Sequence, residues 1–107
     1  MKHDKRSVRH TIKAIIYDKR GRILSIGYNN YTKTHPLQAH YASKAGEPYK
    51  QYLHAEIHAI ILCRDLSKAH TIKVFRYGKL NTPLLAKPCP ICMSAIEAAG
   101  IPNIEHT

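Results

Sequence analysis

The sequence contains no tryptophan, one phenylalanine, three cysteines and only seven acidic residues. Three cysteines are too few for the disulfide framework of a small secreted domain. Two of them form a Cys-x-x-Cys pair, which is typical of a metal site in a reducing compartment. No apolar run is long enough to cross a bilayer, and the charged amino terminus lacks the apolar core of a signal peptide. We therefore expect a cytosolic protein that does not interact with membranes.

Positive charge, by contrast, is in excess. Seventeen lysines and arginines give a formal net charge of +10. Residues 1–53 carry 11 of them against three acids, whereas residues 54–107 carry six against four. Such a field attracts polyanions or phosphorylated small molecules, and a solubilising surface is the simpler alternative. At 107 residues, we expect a single domain over residues 11–107, preceded by a basic arm at residues 1–10.

Alternating apolar residues predict three strands, over residues 11–17, 23–28 and 71–77. Gly21 lies in the short connection between the first two, which indicates a tight hairpin whose glycine supplies a positive φ. Residues 78–87 carry turn signals and are expected to form a loop. The domain should therefore open with an antiparallel pair of strands.

Two helices are predicted from their end signals: residues 36–46 and 90–100 each begin with proline and end with glycine. Around the first helix, tyrosines alternate with lysines. Tyr31 and Tyr52 belong to this set and could stack nucleobases while the lysines hold phosphates. Packing within the domain is the alternative interpretation for each tyrosine.

Residues 54–66 predict the clearest helix, and it is apolar almost all round, as buried helices are. A histidine and a glutamate at the start of a buried helix are costly to desolvate unless they have partners, which makes His54 and Glu56 candidate site residues. His58 lies one turn further on. The zinc-protease pattern places glutamate directly after the first histidine, where this chain has Ala55, so we interpret His58 as a hydrogen-bonded helix residue.

The second motif is Pro88-Cys89-Pro90-Ile91-Cys92 at the start of the last predicted helix. Cys89 and Cys92 are three residues apart and point the same way, close to the positive end of the helix dipole, which favours thiolates. With His54 they make three candidate zinc ligands. Structural zinc normally takes four protein ligands, whereas catalytic zinc keeps a position open for water. The count favours a catalytic metal, with Glu56 left to move protons.

His-x-Glu on a buried helix, followed by a strand and then Pro-Cys-x-x-Cys, is the signature of zinc nucleobase deaminases. On these motifs the sequence resembles the cytidine/deoxycytidylate deaminase superfamily. The long segment from Lys33 to Leu53, together with Ala86-Lys87-Pro88-Cys89-Pro90, resembles its compact phage-type members. The resemblance implies an α/β fold of the cytidine-deaminase type: a three-layer α/β/α sandwich with a mixed sheet, here shortened at the carboxyl end. It also implies that His54, Cys89 and Cys92 bind Zn²⁺ with a water in the fourth place, and that Glu56 transfers protons.

The resemblance extends to substrate contacts, because Gly27-Tyr28-Asn29 matches the family's Gly-aromatic-Asn at the end of the second strand. The candidate substrate-binding residues are Asn29, Ala55, Pro88, Tyr52 and Tyr31. The implied reaction is hydrolytic deamination of cytosine to uracil in DNA or RNA, as a single strand or a flipped-out base, and we favour DNA over RNA. Three alternatives stay open: deamination of free dCMP or cytidine nucleotides, a non-catalytic zinc-stabilised nucleic-acid-binding module, and adenine as the target base.

The chain departs from the family pattern in three places. No helix is predicted before the first strand, and about ten residues (78–87) separate the third strand from Pro-Cys. The sequence reaches only about the beginning of a fourth strand of the family. The last departure implies an exposed sheet edge, through which copies of the chain could form a homo-oligomer.

Overall fold

The computed structural model describes residues 11–78, 80 and 82–107. Within these residues one sheet contains five strands: β1 (Thr11–Tyr17), β2 (Ile23–Tyr28), β3 (Thr71–Tyr77), β4 (Pro83–Leu84) and β5 (Asn103–His106). The connections contain three α-helices, α1 (Pro36–Lys44), α2 (Ala55–Leu62) and α3 (Pro90–Ala99), and a 3₁₀ turn at Leu66–Lys68. The predicted basic arm, residues 1–10, lies outside the described residues.

The sheet is mixed. β1 pairs with β2 and with β3, both antiparallel. The other edge of β3 pairs with two short strands. β5 runs parallel to the first half of β3, and β4 runs antiparallel to its second half. These pairings confirm the predicted α/β class with a mixed sheet, and β1, β2 and β3 have the predicted bounds.

The hairpin between β1 and β2 has the predicted tight turn, with Gly21 at φ 81°. Asp18 stabilises this turn with both carboxylate oxygens. One oxygen accepts the backbone N–H groups of Arg20 and Arg22, each at 2.9 Å, and the other accepts Nε of Arg22 at 2.8 Å. A local network of this kind fixes the register of the two strands.

The prediction of a plain loop over residues 78–87 was wrong in one respect. Pro83 and Leu84 form β4, which pairs with Tyr77 and Arg76 of β3. A strand of two residues shows no alternation in the sequence, and Pro83 is tolerated because β4 lies at the edge of the sheet. The segment is therefore a short hairpin, closed by a hydrogen bond from Gly78 N–H to the Thr82 carbonyl at 2.9 Å.

The helix predicted over residues 54–66 is shorter than expected. α2 ends at Leu62, and Cys63 already has an extended backbone. The Asp65 carboxylate accepts the Ser67 N–H at 3.1 Å and begins a separate 3₁₀ turn. Aspartate and serine offer the backbone such local alternatives to a continuous helix, which is why the apolar pattern overestimated its length.

One face of the sheet carries the core. Side chains of β1 and β3, among them Ala14, Ile16, Ile72 and Val74, are buried in one cluster with residues from all three helices. Ile15 points to the opposite face and is not part of that cluster. Of the three predicted layers, the described residues therefore supply the sheet and one helical layer. None of the helices described is both long and apolar enough to cross a membrane.

Candidate metal centre and substrate cleft

The position of α2 is set by backbone contact with β2. A Cβ atom added to Gly27 would lie closer than 3.0 Å to the backbone of Ala55 and Ala59, so the helix rests on the strand with no side chain between them. Ser25, on the same side of β2, donates its hydroxyl to the Ala59 carbonyl at 2.7 Å. These contacts place the beginning of α2, and hence His54 and Glu56, next to the end of β2.

The three predicted ligands come together at the beginnings of two helices. His54 is the N-cap of α2, Cys89 is the N-cap of α3, and Cys92 lies in the first turn of α3. Their ligand atoms all lie within 4.8 Å of one another. His54 presents Nδ1, which is 3.2 Å from the Cys92 sulfur and 3.7 Å from the Cys89 sulfur. Both cysteines are free thiols rather than a disulfide.

This donor set fits zinc. With the usual Zn–N and Zn–S bond lengths and tetrahedral angles, a nitrogen and a sulfur on one ion should be about 3.6 Å apart. The two nitrogen–sulfur distances, 3.2 and 3.7 Å, lie on either side of this value. One imidazole and two sulfurs make three protein ligands, which is the number that leaves a zinc position open for a reacting molecule.

The two thiols differ in acidity. A hydrogen bond from Cys92 and, to a smaller extent, one with His54 lower the pKa of Cys89 to about 4. The same contact with Cys89, together with burial, raises the pKa of Cys92 well above its usual value. The hydrogen bond to Cys89 in turn raises the pKa of His54. Between the two thiols, the thiolate form is therefore favoured on Cys89, because the contact between the two sulfurs disfavours a second negative charge beside the first.

Glu56 is 6 % exposed and lies in the first turn of α2. Burial raises the pKa of its carboxyl group, so the protonated form is more accessible than in an exposed glutamate. A buried carboxyl with a raised pKa, beside a metal-ligand group and facing a cleft, is suited to take and return a proton.

The cleft in front of these residues has a volume of about 440 Å³. Four of the five predicted substrate-binding residues line it: Asn29, Tyr31, Tyr52 and Ala55. Asn29 is oriented by β1, because its Oδ1 accepts the N–H of Ile12 at 3.1 Å. Pro88 is buried and does not line the cleft, so its substrate contact stays a prediction.

The interpretation of His58 as a hydrogen-bonded helix residue agrees with the structure. His58 accepts the backbone N–H of Tyr28 on its Nδ1 at 3.0 Å and is not part of the ligand group. Cys63 is buried at the end of α2.

Sequence reasoning missed Gln38, which is completely buried in α1. It also did not assign Lys50, Arg76 and Lys87 to the cleft, although all three line it. Arg76 alternates with Val74 along β3 and so points towards the helices, which the strand pattern does indicate. Gln38 has no comparable signal beyond its four-residue spacing from buried Ala42.

Comparison with known proteins agrees with this geometry. The family model for the cytidine and deoxycytidylate deaminase zinc-binding region matches residues 1–106. The chain therefore belongs to this family, and its His-Cys-Cys group fits the family's zinc site. A search of curated proteins gives no matching relative. Family and ligand group together support a zinc-dependent deaminase of the cytidine-deaminase fold.

Proposed function

We propose that the protein hydrolytically deaminates cytosine to uracil within single-stranded DNA or RNA, with zinc held by His54, Cys89 and Cys92. The observation that carries this proposal is the composition of the cleft. The cleft is lined by Glu56 and by two of the three zinc ligands, His54 and Cys89. It is also lined by three tyrosines, Tyr31, Tyr49 and Tyr52, and by three basic residues, Lys50, Arg76 and Lys87. Among the lining residues that the structure describes, Glu56 is the only acid.

This composition suits an anionic substrate with several aromatic bases. Tyr49 and Tyr52 are more than half exposed, so their rings are available for stacking rather than used in packing. Two of the basic residues belong to the sheet region of the cleft: Arg76 is part of β3, and Lys87 follows β4. Lys50 lies on the connection between α1 and α2 and forms an ion pair with Glu47 at 2.8 Å. A single phosphate would need fewer of these groups than a polynucleotide backbone would.

The chain's own residues account for binding, orientation and proton transfer. Zinc held by His54, Cys89 and Cys92 would supply an activated water for attack on C4 of the base. Glu56 takes one proton from the attacking water and delivers it to the ring nitrogen. It then takes the remaining proton from the new hydroxyl group on C4 and gives it to the departing amine. Water thus replaces the amine, and uracil and ammonia are the products. Asn29, held by the backbone of β1, orients the nucleotide, and Tyr31 and Tyr52 limit the movement of the base.

Two other functions make different predictions. A deaminase of free dCMP uses the same centre, and its single phosphate also needs positive charge. A non-catalytic zinc-stabilised module binds nucleic acid but turns over nothing. The buried Glu56 with its raised pKa favours the catalytic functions, because a purely structural site has no use for a costly buried carboxyl group.

The test compares substrates at equal cytosine concentration with zinc-loaded protein. Uracil and ammonia are measured after incubation with dCMP, with a cytosine-containing single-stranded DNA, and with its RNA counterpart. We expect a higher kcat/KM on the polynucleotide, and no product from Cys92→Ser protein, which lacks a ligand. Product from dCMP alone supports the free-nucleotide function. Binding of the oligonucleotide without product from any substrate supports the non-catalytic module.

A further inference from the structure

The face of the sheet opposite the core carries an unusual set of side chains near the end of the sheet that holds the cleft. Lys13 of β1 pairs in register with Tyr28 of β2 and with Phe75 of β3, so these three residues form one row across three strands. Lys73 and Tyr77 flank Phe75 on β3 and share its face. We call these five residues, Lys13, Tyr28, Lys73, Phe75 and Tyr77, the aromatic–lysine patch.

The groups of the patch contact one another directly. The ammonium groups of Lys13 and Lys73 lie 5.2 and 5.1 Å from the centroid of the Phe75 ring. The rings of Phe75 and Tyr77 are nearly parallel, with centroids 6.3 Å apart. Tyr28 is 49 % exposed, and the other four residues are half-buried. Glu105 of β5 is the acid nearest in register, opposite Lys73.

None of the described helices packs on this face. The core cluster that contains helix residues takes the other side of β1 and β3, and Gly27 and Ser25 of β2 hold α2 on that same side. Two ammonium groups and three aromatic rings, on a sheet face that none of the described helices covers, match the chemistry of single-stranded nucleic acid, since lysines hold phosphates and aromatic rings stack bases. An apolar partner would leave both ammonium groups desolvated.

The patch is continuous with the cleft. Tyr28 directly precedes Asn29, and Tyr77 directly follows Arg76; both Asn29 and Arg76 line the cleft. β2 and β3 run in the same direction on either side of β1, so both tyrosines lie at the same end of the sheet. A polynucleotide leaving the cleft can therefore pass around the strand ends to the opposite face.

We propose that the aromatic–lysine patch binds the single strand outside its target base, as a second contact surface of a polynucleotide deaminase. The inference rests on the proposed function, because a free nucleotide is too small to reach from the cleft to the patch. The deaminase then acts on short and long strands with different efficiency, and the patch supplies the difference.

The test uses the double variant Lys13→Gln/Lys73→Gln and the matched control Lys19→Gln/Lys68→Gln. The control removes the same charge from exposed lysines at the opposite end of the sheet. Both are made in zinc-loaded protein, with and without Glu56→Ala. Binding is measured by fluorescence anisotropy with strands of about four and about 20 nucleotides, and kcat/KM is measured on the same strands. Phe75→Leu, checked by thermal melting, tests stacking without a change of charge.

We expect the patch variant to bind the long strand about tenfold more weakly, with a salt dependence reduced by about 1.4 in log–log slope for two lost phosphate contacts. Binding and turnover of the short strand should change less than twofold, as should long-strand binding by the control. Equal losses in patch and control variants would overturn the inference, since net charge would then be the cause. A dimer that dissociates in the patch variant, with strand binding unchanged, would assign the face to a second copy of the chain.

The Glu56→Ala protein allows strand binding to be measured without turnover, and activity is read on protein that retains Glu56. Patch-dependent binding of long strands by zinc-loaded protein that retains Glu56 but deaminates no cytosine supports the second surface and refutes the catalytic proposal. Deamination of both strands without any dependence on the patch refutes the second surface alone.

Discussion

The side chain of Gln38 holds the backbone of His54. Its Oε1 accepts the His54 N–H at 3.1 Å, and its Nε2 donates to the Lys50 carbonyl at 3.0 Å. Gln38 is 0 % exposed, and both groups of its amide have partners. One buried amide on α1 thus fixes the last turn of the connection that leads into α2, and with it the residue that presents Nδ1 to the metal centre.

Gln38→Ala should therefore weaken the metal centre without removing any ligand. Leaving the His54 N–H and the Lys50 carbonyl unpaired should cost about 1–3 kcal/mol of unfolding free energy. Loss of a supporting group next to a ligand typically weakens metal binding about 10- to 100-fold. Chelator competition and denaturant unfolding measure the two effects. Gln51→Ala, at an exposed position that donates to the Pro48 carbonyl, is the control and should change zinc affinity little. An unchanged zinc affinity in Gln38→Ala would contradict the positioning role.

Glu56→Ala should keep the zinc and lose the reaction. His54, Cys89 and Cys92 are untouched by the change, so one zinc per chain is expected by elemental analysis. Removing the group that transfers the protons should lower kcat by about 10²- to 10⁴-fold. Glu56→Gln, which preserves shape but cannot take a proton, should be equally inactive. Activity close to that of the unaltered protein would rule out this residue as the proton carrier.

Gly27→Ala should push α2 away from β2. The added methyl group meets the backbone of Ala55 and Ala59, which cannot move aside as a side chain can. Overpacking of this kind costs about 1–3 kcal/mol or more, and here it also displaces His54 and Glu56. The control is Gly78→Ala, whose added Cβ meets only the side chain of Leu84 at 3.0 Å. Denaturant unfolding and zinc titration of the two variants give the comparison; equal stability losses would refute direct helix–strand contact.

The β1–β2 turn should lose its support in acid. The backbone hydrogen bond from Arg22, aided by its guanidinium, holds the pKa of Asp18 below the usual value of an aspartate. A carboxyl with a depressed folded-state pKa contributes stability above its unfolded pKa, and the contribution disappears as pH falls through the folded value. Asp18→Asn should thus lower Tm at pH 7. The difference from the unaltered protein should shrink as pH falls below the usual carboxyl pKa, and it should vanish once the Asp18 carboxyl of the folded protein is protonated. Glu97→Gln, at an exposed position of α3, is the charge-matched control. A Tm difference that persists in acid would contradict this assignment.

Features encoded in short stretches of sequence could be predicted. Alternation along seven or fewer residues gave the bounds of β1, β2 and β3, and Pro90 with Gly100 gave the ends of α3. The ligand group was predictable because Cys89 and Cys92 share one turn of helix, and because His54 is costly to bury without a partner. The structure brings these three residues together as expected.

Features that depend on distant partners could not be predicted. β4 is a strand only through its pairing with the edge of β3, and a proline such as Pro83 would by itself predict that no strand forms. Gln38 looks like any polar residue of a short helix until the Lys50 carbonyl and the His54 N–H are placed around it. The opposite pKa shifts of Cys89 and Cys92 likewise follow from their mutual contact and unequal burial rather than from helix position alone.

Alternate residues of β3 belong to two different surfaces of the protein. Val74 and Arg76 line the cleft, whereas Phe75 and Tyr77 lie on the opposite face. If the proposed function and the second contact surface are correct, base recognition and strand retention can be altered separately, by changing even- or odd-numbered positions of this one strand. The same arrangement makes this strand intolerant of insertions, since adding one amino acid would exchange the two sets and abolish both surfaces together.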